Sequence, residues 1–169
     1  MEQLAVLVPY SFIRQRTRLS WRDVKFGIEE GILQPKDAID VAMDVMEHGA
    51  ETEQVLALAS SSPEDSLLGL VSQIAEQEKP PDLSIMRRKW AFLLLAWLYE
   101  HRARFSDPLD MVGKLYADLD YPEQVAPFVR YMPTDEPDLG SKDLNEQRLF
   151  QKWADYLQKE ARYFLLSQV

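Results

Sequence analysis

Trp90-Ala-Phe-Leu-Leu-Leu-Ala-Trp-Leu-Tyr99 is apolar on every side of a helical wheel, and its reading decides the fold. A surface helix shows one apolar stripe, whereas a helix without a polar face must be buried all round, either in lipid or in a protein core. As a helix this run rises about 15 Å, half of the roughly 30 Å that a bilayer core demands. It is therefore expected to be the central post of a helical protein. Arg87-Arg88-Lys89 before it and His101-Arg102-Ala-Arg104 after it read as solvated ends, the latter placing cations at the negative pole of the helix dipole. The expected post spans about residues 85–104.

Working outward, helix signals recur. Ser20-Trp-Arg-Asp23 and Ser62-Pro-Glu-Asp65 each set a hydroxyl three residues before a carboxylate, the pattern of a capping box. Pro35 and Pro108 suit first turns, and Gly31 and Gly49 fall where stop signals belong. Apolar residues repeat at i, i+3, i+4, i+7 through Ile39, Ala42, Met43 and Met46, and again through Leu67, Leu70, Val71 and Ile74. A last long helix carries the stripe Phe150, Trp153, Leu157, Ala161 and Phe164. No period-two run is long enough for a sheet, although residues 1–8 fit a short strand or a helix equally. The expectation is an all-α fold of about seven helices, an irregular multi-helix bundle or an array of helical pairs around the post. Residues 1–169 read as one domain of two lobes, with a hinge at 79–83 where Lys79-Pro-Pro-Asp82 interrupts the pattern.

Composition narrows the function classes. The chain has 169 residues, 46% hydrophobic and 28% charged, enough for a real core and unlike a disordered segment. With no cysteine it has no disulfide, thiolate nucleophile or Cys-based metal site, and the natural compartment is the cytoplasm. The start, Met1-Glu2-Gln3 with only Leu4 to Val8 before Pro9, lacks the pattern of a secretory signal. Net charge is −9, but residues 1–28 carry +3 and the remainder −12. That field disfavours nucleic acid, whose binding rests on cations meeting phosphates, and favours a basic partner. Arg14, Arg16, Arg18 and Arg22 are expected to pair with the chain's own acids or to be solvated.

The familiar catalytic loops are missing: there is no Gly-x-Ser-x-Gly, no Walker loop and no Gly-x-Gly-x-x-Gly. His48 and His101 belong to no His-Glu-x-x-His pair, so no metal and no cofactor is expected. Asp118-Leu-Asp120-Tyr-Pro-Glu123 resembles a calcium loop only superficially, lacking the turn glycine and the distant glutamate. It reads instead as a helix start, with Asp120 as cap, Pro122 in the first turn and Glu123 completing the box.

What stands out is residues 105–140, where eight carboxylates face only Lys114 and Arg130 and three tyrosines are interleaved. Rigid amphipathic tyrosines with ordered carboxylates suit an interface against a cationic protein. The candidate partner-binding residues are Asp107, Tyr116, Asp118, Asp120, Tyr121, Glu123, Arg130, Tyr131, Asp135 and Glu136. The plain alternative is that the tyrosines anchor the core and the acids only solubilise the surface.

Gly27-Ile-Glu-Glu-Gly31-Ile-Leu-Gln-Pro35-Lys-Asp-Ala-Ile-Asp40, Lys89 to Tyr99, Asp107-Pro-Leu109, Tyr116 to Glu123 and Phe128-Val-Arg-Tyr-Met-Pro133 together cover most of the chain. In these stretches it resembles a bacterial family of domains of unknown function. It is also similar to small helical proteins encoded near polymorphic toxins, which implies an immunity protein. No catalytic residue is carried over. The leading expectation is a non-enzymatic binding module that neutralises a basic toxin domain through its acidic, tyrosine-bearing face. Alternatives are a helical scaffold or adaptor holding a partner helix in a groove and, more remotely, a carboxylate-dependent metal hydrolase.

Overall fold

The structure is a computed structural model that describes residues 6–50 and 52–166. Most of residues 1–8, left open between strand and helix, lie outside them, and Val6 to Val8 have no regular structure. The fold is all-α, with eight α-helices, two short 3-10 turns and no strand among the described residues. The helices are α1 (Tyr10–Ile13), α2 (Trp21–Glu29), α3 (Asp37–Glu47), α4 (Glu53–Ala59), α5 (Leu68–Glu76), α6 (Leu83–Glu100), α7 (Pro108–Asp118) and α8 (Lys142–Leu166). Contacts sort the chain into two compact units, with the boundary in the chain between Met86 and Arg87, inside α6.

In the first unit α2 packs on α5, α3 on α4, and α4 on α5. Its caps are local chemistry. Ser20 and Asp23 form the expected capping box, and a third group joins them: Glu78 accepts hydrogen bonds from the amides of Trp21 (3.1 Å) and Arg22 (2.9 Å). A carboxylate thus satisfies the first amides of α2 and sits at its positive pole. Gly31 and Gly49 end α2 and α3 with positive φ, and in each case the following amide reaches back to the helix, Ile32 N to Gly27 O and Ala50 N to Val45 O. The basic arm is engaged within this unit: Arg14 pairs with Asp44 at 3.3 Å, Arg16 lies over the Phe12 ring, and Arg22 donates to the Glu78 carbonyl.

Two local expectations fail here. The Ser62 motif starts no helix, because Asp65 N closes a turn onto Ser62 O and the Ser62 hydroxyl is taken by Glu64; α5 begins only at Leu68. The α3 stripe is also rotated. Ala38, Val41 and Ala42 are buried while Met43 is 52% exposed, since close packing against α4 selects the small side chains rather than the large ones.

The second unit contains the post from Arg87 onward. From Trp90 to Ala96, and again at Leu98, every side chain of α6 is buried, so the apolar run is a core helix. Its last carbonyls are met by His101, whose Nδ1 lies 2.7 Å from Trp97 O, and by Arg102, which donates to Tyr99 O at 2.7 Å. α6 ends at Glu100, and Arg102–Arg104 continue as a separate 3-10 turn. Along α8 the buried residues are Trp153, Tyr156, Glu160 and Phe164, with Ala161 exposed. Aromatic stacking builds this core: Trp153 packs against Tyr99, Phe128 and Phe150, and Phe164 against Phe92. Within it Glu160, 1% exposed, receives two hydrogen bonds from Arg88 at 2.8 and 3.0 Å, and the guanidinium lies 3.7 Å over Tyr163.

Candidate functional site

Residues 105–140 belong to the second unit, and α7 organises them. Asp107 caps α7 through Asp110 N, and Pro108 fills the first turn, where its missing amide costs nothing. The helix ends as α2 and α3 do, with Asp120 N bonded to Ala117 O and Tyr121 N to Tyr116 O at 2.9 Å, but without glycine. Asp120 (φ 63°) and Tyr121 (φ 57°) both take the left-handed conformation. Asp120 therefore ends a helix rather than starting one. Pro122 to Val125 make a single turn and then the 3-10 turn Ala126–Phe128, so the capping box expected at Asp120 and Glu123 does not form. Left-handed backbone is tolerable for Asp, but for an aromatic residue it is an outlier that stores strain.

That turn sets Tyr121 against Tyr116, edge to face at 5.2 Å between centroids, and Tyr131 lies 6.3 Å from Tyr116 on another side. Tyr116 is buried, while Tyr121 and Tyr131 are 57% and 60% exposed. Gly113 makes room for the Tyr131 ring: a Cβ there would stand 3.0 Å from Tyr131 Cε1, and the Tyr131 hydroxyl donates to the Gly113 carbonyl. Beside this cluster a groove of about 390 Å³ is lined by Leu109, Gly113, Ala117, Tyr131 and the flanking Lys114 and Arg130.

The acids divide into two kinds. Asp107 is held by a bidentate pair with Arg130 (2.6 and 2.7 Å), which keeps its carboxyl below the usual carboxylate range, and Arg130 also reaches Glu146 at 2.9 Å. Asp110 pairs with Lys114 on the same helix face at 3.3 Å. Glu136 is taken by Arg148 at 3.4 Å and by Lys152. Asp120 stands 4.0 Å from Arg87, while Glu123 and Asp135 project into solvent. The ten candidate residues are thus not one face. Tyr116, Tyr121 and Tyr131 converge, with Asp118, Asp120 and Glu123 on the adjoining turn. Asp107 and Arg130 clamp each other, and Asp135 and Glu136 line a separate cleft of about 910 Å³ against α8. Sequence reasoning missed Gly113, Glu146, Arg148 and Lys152; Gly113 alone carried a visible signal, a glycine inside a helical pattern.

Among the described residues no three His, Asp or Glu side chains gather as metal ligands would, and no helix is long and apolar enough to cross a membrane.

Residues 10–161 match the model of DUF2247, a family described as an uncharacterised protein conserved in bacteria. The chain belongs to this family. The matched DUF2247 region runs from α1 into α8 and includes the tyrosine cluster, both hollows and the Arg88–Glu160 pair. Neither the curated proteins nor the solved structures yield a match.

Proposed function

We propose that the protein is a non-enzymatic, cytoplasmic binding module whose contact face is the Tyr121–Tyr131 patch with the Asp118–Glu123 turn. Its partner is a basic protein, most concretely a toxin domain that it neutralises as an immunity protein. One observation carries this reading: an aromatic ring more than half exposed, Tyr121, is held in left-handed backbone on top of a buried tyrosine. Folding gains little from such an arrangement, and strain of this kind persists where a contact needs it. Tyrosine is a characteristic interface anchor, and the carboxylates beside it steer a cationic partner.

The test is co-expression with the toxin domain encoded beside the gene. The wild type rescues growth and co-purifies, and its association rate falls as salt rises. Tyr121→Gly relieves the backbone while losing one ring contact, so stability changes by less than about 1 kcal/mol. Binding weakens about thirtyfold, the effect of removing an anchor worth about 2 kcal/mol. Unchanged rescue by Tyr121→Gly together with Tyr131→Ala refutes the assignment of this face. The groove along α7 favours a second reading, an adaptor that holds a partner helix. In that case Ala117→Glu abolishes binding while Asp118→Asn, Asp120→Asn and Glu123→Gln leave it intact.

A further inference from the structure

Residues 133–141 have no helix of their own and run beside the start of α8, held there by polar ties. Arg148 donates to Pro137 O at 2.8 Å, Asn145 Oδ1 accepts from Leu139 N at 3.0 Å, and Asn145 also bonds Asp138 at 3.0 Å. Between this strap and α8 lies the cleft of about 910 Å³, with apolar lining from Val129, Met132 and Leu149. Its volume is within the range of about 300–1,000 Å³ usual for small-molecule sites. The other acids at its edge have partners of their own or face water: Asp138 bonds Gly140 N and Asn145, Glu146 pairs with Arg130, which also lines the cleft, and Asp135 is exposed. Arg148 and Lys152, one turn apart on α8 and only 21% and 27% exposed, both converge on Glu136.

We propose that this cleft is a binding site for an organic carboxylate, and that Glu136 holds its anion position as a tethered surrogate. Two cations brought this far out of water need an anion, and the chain supplies one from a segment with few apolar anchors, the kind that opens at low free-energy cost. An external carboxylate makes the same charge-assisted bonds to Arg148 and Lys152, its body lies against Met132 and Leu149, and the strap swings aside. This inference is independent of the tyrosine face, whose partner has the opposite charge.

A side chain on a short tether competes at an effective concentration in the millimolar range, so the wild type binds free acids weakly. The experiment is titration calorimetry of the full chain with succinate and, separately, with an acetylated and amidated Gly-Glu-Gly peptide. Glu136→Gln removes the internal competitor and tightens binding of one or both probes at least tenfold, and the better probe identifies a free acid or a peptide side chain as the source. Adding Arg148→Met and Lys152→Met to Glu136→Gln abolishes the gain; if that variant does not fold, Glu136→Gln with Lys152→Gln takes its place. The proposal is overturned if Glu136→Gln binds both probes no more tightly than wild type, or if removing the cations leaves its affinity unchanged.

Discussion

Arg88→Met should be the most damaging of the conservative changes in the second unit. Glu160 is 1% exposed and takes both its hydrogen bonds from Arg88, so the substitution leaves a carboxylate with neither water nor a partner. Breaking a buried pair from one side costs about 3–5 kcal/mol. Methionine keeps the apolar contact with the Tyr163 ring, so the loss reports the charge rather than a cavity. The reverse change is milder. The Arg88 side chain is 27% exposed and can turn toward water once Glu160 is neutral, so Glu160→Gln costs roughly 2 kcal/mol, the value of hydrogen bonds to a charged group. Replacing both with methionine removes the desolvation problem altogether, and the double variant loses less than Arg88→Met alone. Urea unfolding followed by the fluorescence of the buried Trp90 and Trp153 measures all four species, and the melting point of Arg88→Met falls by roughly 6–20 °C. The reasoning fails if Glu160→Gln costs more than Arg88→Met, or if the double variant loses as much stability as Arg88→Met alone.

Three further outcomes follow from local geometry. Glu78→Ala strips a carboxylate from the first amides of α2 and costs about 1–2 kcal/mol, seen as a lower urea midpoint with unchanged slope. Asp120→Gly relieves left-handed backbone at the end of α7 and sacrifices only a 4.0 Å surface pair, so the protein gains about 0.5 kcal/mol; a lower melting point would contradict this. The Asp107 carboxyl is depressed by its Arg130 partner, so this pair adds stability above the ordinary carboxylate range and loses it as pH falls through the depressed value. Carboxyl NMR should find that Arg130→Gln moves the Asp107 midpoint upward, and an unmoved midpoint would remove Arg130 as the cause.

Legibility followed range along the chain. The capping box at Ser20 and Asp23 and the terminal glycines Gly31 and Gly49 were readable because each is settled within five residues of backbone. Asp120 and Ser62 misled for a related reason: the same residue types serve as helix caps, turn formers and helix ends, and the choice rests on which amide arrives. At Asp120 that choice was made by the helix ending before it, and at Ser62 by the turn closing after it. Within the candidate site the three tyrosines were visible as a group, but their division into one buried and two exposed rings was not.

The amino-acid sequence by itself determined that this is an all-α protein with a buried post, because an all-round apolar decade and the helical periods around it depend only on the order of neighbouring residues. Tertiary structure decided which carboxylates are available. Asp107 meets Arg130, Glu136 meets Arg148 and Lys152, and Glu160 meets Arg88 across 72 positions of chain. A charge count ignores such pairings, which form only when packing brings distant side chains within a few ångströms. They divide what the composition alone suggested as one broad acidic face into separate pairs, with the three tyrosines gathered beside the Asp118–Glu123 turn, where Asp120 itself stands 4.0 Å from Arg87.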